Sequence, residues 1–484
     1  MLFNSAVFLQ FFAAFLLLYW LVRNSLPARN LLVVVASYLF YGWWAPERTL
    51  NLSESTNYAL SLLWHCRFLG LLVATSLFDF LVGLGLAKLT TPRQRKLLVA
   101  ASVAANLSVL GFFKYCNFFI QSVSTALDHL GMDVSLPTLN LVLPVGISFY
   151  TFQSMSYTID VYRGQLAPTR RVTDFLAFVS FFPQLVAGPI ERASHLLPQF
   201  QQTRVITRAM LEEGVWLILW GLFKKVVIAD NCAPLVEIVY GNAAYTGPAV
   251  LLGTVAFALQ IYCDFSGYSD IARGTARVLG FDIMWNFHIP YAATSPREFW
   301  RRWHISLSTW LRDYLYISLG GNRRGLGRTY LNLIVTMLLG GLWHGAAWNF
   351  VLWGLWHGAG LVAQRITGGS ELRKTLRMLS WAGTMVFILY GWLLFRADSL
   401  TQVAAMTRAL ADFSFPPWTS SFALNLTVFS LPLVLMESWM TVARNQLVPL
   451  SLPTPVRSLL QGVMLVAIVI FWERKEVPFI YFQF

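Results

Sequence analysis

Three histidines sit where water is expected to be scarce. Between Arg328 and Arg365 the chain carries no Asp, Glu, Lys or Arg, yet it contains Leu339-Gly-Gly-Leu-Trp-His344-Gly345 and Leu355-Trp-His357-Gly358. Upstream lies His304, in Trp300-Arg-Arg-Trp303-His304-Ile-Ser306. A run this apolar belongs in lipid, where no solvent satisfies an imidazole. An ionisable group at such a depth is either locked to a neighbouring helix or part of a functional site. The chemistry open to it is proton transfer, because neutral imidazole takes a proton from an alcohol near pH 7. A dry pocket favours that neutral form, since desolvation penalises the charge. His344 is therefore the candidate general base. His304 either assists it, by orienting an acceptor, steadying an oxyanion or serving the leaving group, or anchors an interface beside Trp303 and Arg302. On one unbroken helix His344 and His357 would lie about 220° apart. They share a face only if the chain turns between them, at Asn349 or at the glycines.

The elements that hold these residues follow from composition. Of 484 residues, 56% are hydrophobic and 12% charged, and mean hydropathy is +0.57. Soluble domains carry roughly 25% charged residues, so an ordinary cytosolic enzyme is excluded and a multi-pass membrane protein is implied. The apolar runs are long and continuous instead of alternating, which points to helices and not a barrel. Candidate spans are 6–23, 30–44, 68–88, 97–120, 140–159, 172–190, 214–229, 247–265, 329–345, 347–364, 377–395, 421–440 and 456–473. The expected architecture is all-α: a polytopic bundle of about 10–13 membrane segments in one integral domain over 1–484. Pro144 with Gly146, and Pro183 with Gly188-Pro189, interrupt two spans. Irregular backbone at depth survives only where protein or a water-filled cavity covers it, so these breaks suggest re-entrant segments around a central cavity. Val7 to Val22 lacks the pattern of a cleaved signal peptide and reads as a retained first span.

The net charge of +13 does not imply nucleic acid. The basic residues cluster in short loops beside apolar runs (Arg93, Arg95 and Lys96; Arg170 and Arg171; Arg323 and Arg324), as cytoplasmic loops of membrane proteins do. Lys224-Lys225 reads the same way. Cys66, Cys116, Cys232 and Cys263 show no metal spacing. The three in or beside apolar runs, Cys66, Cys116 and Cys263, are expected to be small buried hydrophobes.

Two polar stretches matter further. Ser295-Pro296 opens a helix, with serine at the cap and proline at the first position. Read as one helix to Tyr316, it puts Trp300, Trp303 or His304, Leu307, Leu311 and Leu315 on one broad face, and Gly320 to Gly325 closes it in a basic turn. Such a segment lies in the interface or tucks under the bundle. After the apolar run from Val250 comes Gln260-Ile-Tyr-Cys-Asp264-Phe-Ser266-Gly-Tyr268-Ser-Asp270. Its acids are expected to pair with Arg273, Arg297 or Arg301, or to bind substrate or orient an imidazole. Phe182-Pro-Gln-Leu-Val-Ala-Gly188-Pro-Ile-Glu191-Arg192 reads as a cavity-lining turn ending in an acid–base pair.

No GxSxG, HExxH, GxxxxGK[ST] or helix-opening GxGxxG motif is present. Instead, Phe182 to Ile190, Asp264 to Asp270, Glu298 to Tyr316, Leu319 to Arg323, Gly340 to Gly345, Trp353 to Gly358 and the ending Pro478 to Phe484 resemble the membrane-bound O-acyltransferase family. The likeness runs over essentially the whole chain and is strongest to the bacterial branch that includes alginate O-acetylation and teichoic-acid D-alanylation proteins. The resemblance implies a tunnel through the membrane, an acyl thioester entering from the cytoplasmic face, and a hydroxyl acceptor approaching from the other. It makes His344 the catalytic histidine and His304 its upstream polar partner. Trp303, Trp343, Asp264, Ser266, Tyr268, Asn349, Arg301 and Arg302 become candidates to line the tunnel or bind substrate. Ester formation from a thioester is downhill, so positioning and proton removal suffice, and neither a metal nor a resident cofactor is expected. The implied donor is acetyl-CoA. The implied product is an O-acetylated exported polysaccharide, alginate first, reached through a separate periplasmic SGNH-like, esterase-type transferase. The implied location is the bacterial inner membrane, in contact with lipid. Two alternatives stay open: a carrier-protein thioester bringing D-alanine, and a polymer-export subunit whose histidines only line a path.

Overall fold

The computed structural model describes residues 1–43, 54–132, 136–139, 141–186, 188–242, 244–368, 376–472 and 479–480, with side chains of 54–66 left aside. The Cys66 side chain, Pro478 and residues 481–484 lie outside the described set. Among the described residues every regular element is helical, as the continuous apolar runs require. Contacts divide the chain into two compact units, residues 1–207 with 276–283, and residues 208–275 with 284–484.

The first unit contains α1 (Ala6–Val22), α2 (Leu26–Gly42), α3 (Glu54–Lys88), α4 (Pro92–His129), α5 (Ile147–Tyr162), α6 (Val172–Ser180), α7 (Phe182–Leu185) and α8 (Ala193–Phe200). Both anticipated breaks are real. Gly146 caps α5 at φ +72°, and a Cβ there would come within 2.8 Å of the Leu185 carbonyl oxygen. Pro183 opens α7, which lasts four residues. The acid at the end of this segment pairs one turn on: Glu191 meets His195 Nδ1 at 2.8 Å.

In the second unit α9 (Arg208–Leu222) passes through a π-helical stretch, Phe223–Ala229, into α10 (Asp230–Tyr240). There follow α11 (Gly247–Val278, its last turn counted with the first unit), α12 (Pro296–Arg302), α13 (Ile305–Trp310), α14 (Leu326–His344), α15 (Trp348–Ile366), α16 (Arg377–Arg396), α17 (Leu400–Ala409), α18 (Thr419–Ala443) and α19 (Thr454–Phe471). Among the described residues six helices are long and apolar enough to cross a membrane: Arg67–Lys88 of α3, then α4, α11, α16, α18 and α19. The other expected segments are shorter or broken or, like α14 and α15 at 19 residues each, long enough but not apolar enough, so a full crossing is a stricter test than an apolar run.

Three local expectations change. The span read as 247–265 does not end just past Asp264; α11 continues to Val278. It can, because its carboxylates meet lysines. Lys225 Nζ lies 2.8 Å from Asp264 Oδ1 and 2.8 Å from Asp230 Oδ1, while Lys224 Nζ lies 2.7 Å from Asp270 Oδ2. Lys224 and Lys225 are thus not loop flanks. Both are buried, delivered inward by the π-helical turn, a distortion that often marks functional sites. Of the three arginines expected as partners, Arg273 makes its ion pair with Glu213, and its charge also acts on Asp270. The stretch from Ser295 to Tyr316 is not one helix either. Ser295 caps α12 as expected, accepting from the Glu298 N–H, but the chain breaks at Trp303-His304. There Ile305 N–H donates to the Asn286 carbonyl (2.9 Å) and His288 N–H to the Arg302 carbonyl (2.9 Å). Backbone pairing with 286–288 outcompetes a continuous helix, so the single broad face dissolves. Finally, Cys232 and Cys263 are buried free thiols, whereas Cys116 is only half-buried.

Candidate active site

The site is built on the α14–α15 hairpin, which packs backbone to backbone at its glycines. A Cβ on Gly341 would lie 2.1 Å from the Phe350 carbonyl oxygen, and one on Gly354 would lie 2.5 Å from the Met337 carbonyl oxygen. Small residues at such crossings are the usual means of close helix approach in membranes. His344 ends α14, and Gly345 to Ala347 turn the chain before α15 begins. That turn, earlier than Asn349, brings both histidines of the hairpin to one indole. The Trp353 ring centroid is 5.1 Å from His344 and 4.6 Å from His357.

His304 enters from the broken segment. Its backbone is left-handed, φ +41° and ψ 54°, a conformation costing a non-glycine residue about 1–2 kcal/mol. Nδ1 lies 3.1 Å from Asn286 Oδ1. The ring packs edge-on against Phe265 at 4.7 Å, and its centroid is 6.4 Å from that of His344, with Trp343 touching both. His304 lies outside the six long apolar helices. Burial pushes its pKa down to about 3, so it is neutral at physiological pH.

A cavity of about 930 Å³ opens onto His344. His344, Trp300 and Trp353 form part of its wall, with Leu307, Leu311, Leu333, Met337 and Leu361. Arg297, Arg301, Arg312 and Arg365 also line it, and among the described residues no carboxylate does. Arg312 forms an ion pair with Asp313 at 2.6 Å. An apolar chamber with a basic lining and an imidazole on its wall suits an acyl group carried on an anionic handle.

Comparisons with known proteins decide the family. The model for the membrane-bound O-acyltransferase family matches residues 169–407, a span that contains His304, His344 and His357. The chain is 43% identical to a probable alginate O-acetylase AlgI of Azotobacter vinelandii over 424 residues, 87% of this chain and 80% of that protein. It is 33% identical to a peptidoglycan O-acetyltransferase of Helicobacter pylori over 399 residues, 76% of this chain and 74% of the relative. It is 31% identical to a teichoic acid D-alanyltransferase of Streptococcus thermophilus over 263 residues, 51% of this chain and 63% of the relative. The chain belongs to the membrane-bound O-acyltransferase family. It is an acyltransferase and a multi-pass membrane protein.

Within this acyltransferase, the residues singled out from sequence separate into two groups. His344 and Arg301 share the cavity wall, and His304 stands behind His344. The other candidates do not line the cavity. Trp303 stacks on Phe299 and packs against Trp392. Trp343 packs beside both imidazoles, 5.8 Å from His304 and 5.1 Å from His344. Arg302 pairs with Glu298 at 2.7 Å. Asp264 is taken by Lys225 and by the Ile480 N–H at 2.7 Å, and Ser266 accepts from Lys224 at 2.8 Å. Tyr268 packs on Phe479. Asn349 ties α15 to the end of α16 by donating to the Ala397 carbonyl at 2.8 Å. These are support positions: they hold the wall and do not form it. His357 sits in a box of Trp300, Trp353 and Phe387, which fits helix packing.

Sequence reasoning missed Trp300, Trp353, Arg312 and Arg365 on the wall, and Asn286 behind His304. Lys224 and Lys225 carried a usable signal: two adjacent cations inside an apolar run must be neutralised by acids elsewhere in the membrane, and Asp264 and Asp270 were the acids in comparable surroundings. Asn286 carried none, since one amide in a polar loop is unexceptional.

Proposed function

We propose that this acyltransferase is an inner-membrane O-acetyltransferase that takes acetyl from acetyl-CoA for O-acetylation of an exported polysaccharide, alginate first, passing it to a separate periplasmic SGNH-like transferase. The observation that carries the reading is His344 on the wall of an arginine-lined cavity with no carboxylate among its described lining residues, and with the His304 ring 6.4 Å behind it. The alginate assignment is supported by the AlgI relatives, 43% identical over 87% of the chain. His344 acts as general base on the acceptor hydroxyl. The oxygen attacks the acetyl carbonyl, the carbon–sulfur bond breaks, and the proton leaves on the CoA thiol. The arginines hold the phosphates of CoA by charge-assisted hydrogen bonds, and the apolar wall excludes water that would otherwise hydrolyse the thioester.

The test is CoA release from radiolabelled acetyl-CoA by the full chain in lipid vesicles. His344→Ala, with unchanged melting behaviour, is expected to lose about 10²–10⁴-fold in turnover, the usual reach of general-base catalysis. Turnover equal to wild type would remove His344 from the chemistry. A second reading rests on the D-alanyltransferase relatives: the donor is a carrier-protein thioester. Stimulation by a D-alanyl carrier protein, with no CoA release from acetyl-CoA, would favour it.

A further inference from the structure

The loop before α12 holds His304 by both its backbone and its one amide side chain. Asn286 accepts the Ile305 N–H on its carbonyl at 2.9 Å. Its side-chain Oδ1 receives the Ser306 N–H (3.3 Å) and the Ser306 hydroxyl (2.8 Å), and faces His304 Nδ1 at 3.1 Å. The Ser306 N–H can only donate, so the atom it meets must be the amide oxygen and not the nitrogen. The amide nitrogen then donates the other way, to Ser269 Oγ at 3.1 Å. With the amide so oriented, an unprotonated Nδ1 would set two lone pairs against each other.

We infer that Asn286 is a positioning residue: it fixes His304 as the tautomer protonated on Nδ1, so that Nε2 carries the lone pair. Which ring nitrogen bears the proton is set by the hydrogen bond the other one makes. The Ser306 hydroxyl, 3.3 Å from Nδ1, agrees, because its own proton is already committed to Asn286 and its lone pair can accept. Asn286 thus turns His304 into a one-sided acceptor. Its Nε2 can accept a hydrogen bond from a hydroxyl, and cannot donate one. Around His304 stand Phe265 of α11 and Trp343 and His344 of α14. Of these only His344 titrates, while Asp264, next to Phe265, is committed to Lys225.

The inference rests on the acetyl-transfer reading only for its kinetic arm. Nitrogen-15 spectra of the lipid-embedded full chain, with the His304 signals assigned by difference against His304→Gln, are expected to show a protonated Nδ1 and a bare Nε2. The opposite tautomer overturns the assignment whatever the substrate. In the kinetic arm, Asn286→Leu is expected to lower kcat for CoA release from acetyl-CoA at least tenfold with KM little changed. Asn286→Asp keeps the acceptor and is expected to recover most of that loss above pH 8. Its carboxylate also stabilises an imidazolium at His304, so the acid limb of kcat should move to higher pH. Equal losses in both variants with an unmoved pH profile would mean that Asn286 only supports the loop, and would refute the positioning role.

Discussion

Replacing Lys225 by methionine removes one charge from the interior of the second unit and keeps the shape of the side chain. Lys225 Nζ stands 2.8 Å from both Asp264 and Asp230, and the lysine is about 1% exposed. At an effective dielectric constant of 20, each contact at that distance carries about 6 kcal/mol of gross attraction. Most of it offsets the cost of taking three charges out of water. Without the cation that compensation vanishes while the buried carboxylates remain, and losing one partner of a buried pair typically costs about 3–5 kcal/mol. The assay is the unfolding free energy of the full chain in lipid–detergent micelles, for Lys225→Met, Asp264→Asn and the double variant. Asp264→Asn alone should be the milder change, since Asp230 still faces the lysine. The double variant should recover about 2 kcal/mol relative to the sum of the singles, because the two groups touch. Kinetics should follow stability: Asp264 precedes Phe265, whose ring edge meets His304. If Lys225→Met stayed within about 1 kcal/mol of wild type, or the singles simply added, the idea that lysines neutralise α11 would fail.

Three further outcomes follow from the same geometry. Gly354→Ala, whose new methyl would meet the Met337 carbonyl at 2.5 Å, should cost about 1–3 kcal/mol as an overpacked contact and lower kcat by shifting the hairpin that carries His344; unchanged melting and turnover would mean that the hairpin yields there. Arg301→Gln should raise KM for acetyl-CoA about tenfold or more, the worth of one charge-assisted hydrogen bond at about 1.5–3 kcal/mol, and leave the affinity for S-acetyl-pantetheine, which lacks phosphate, nearly unchanged; equal effects on both donors would separate Arg301 from phosphate binding. His304 has its folded pKa depressed by burial to about 3 from 6.5, so between these values the unfolded chain binds the extra proton and stability falls as pH falls, by about 1.4 kcal/mol per unit. From pH 6.5 to pH 5 the wild type should therefore lose about 2 kcal/mol more than His304→Gln, and parallel stability curves would contradict the burial of that ring.

The local chemistry of this protein was legible in its residues. Long uncharged runs dictate helices in lipid, because only helices and closed barrels satisfy their own backbone there. Proline and glycine at 144–146 and 183–189 marked the breaks, since both act on the backbone directly. His344 was legible because an imidazole in such a run is anomalous by composition alone. Pairing was not legible. Lys224 and Lys225 looked like loop residues until the π-helical turn aimed them at α11, and a period of 3.6 cannot foresee a local change of period. His304 looked like a member of one amphipathic helix until the 286–288 backbone pinned it in a left-handed conformation. Composition and spacing by themselves determined the class of protein, the helices and the catalytic candidate. The partner of each buried charge, the turn that brings His344 and His357 to one tryptophan, and the tautomer of His304 were decided by the tertiary structure, because those depend on atoms that meet in space after long separation along the chain.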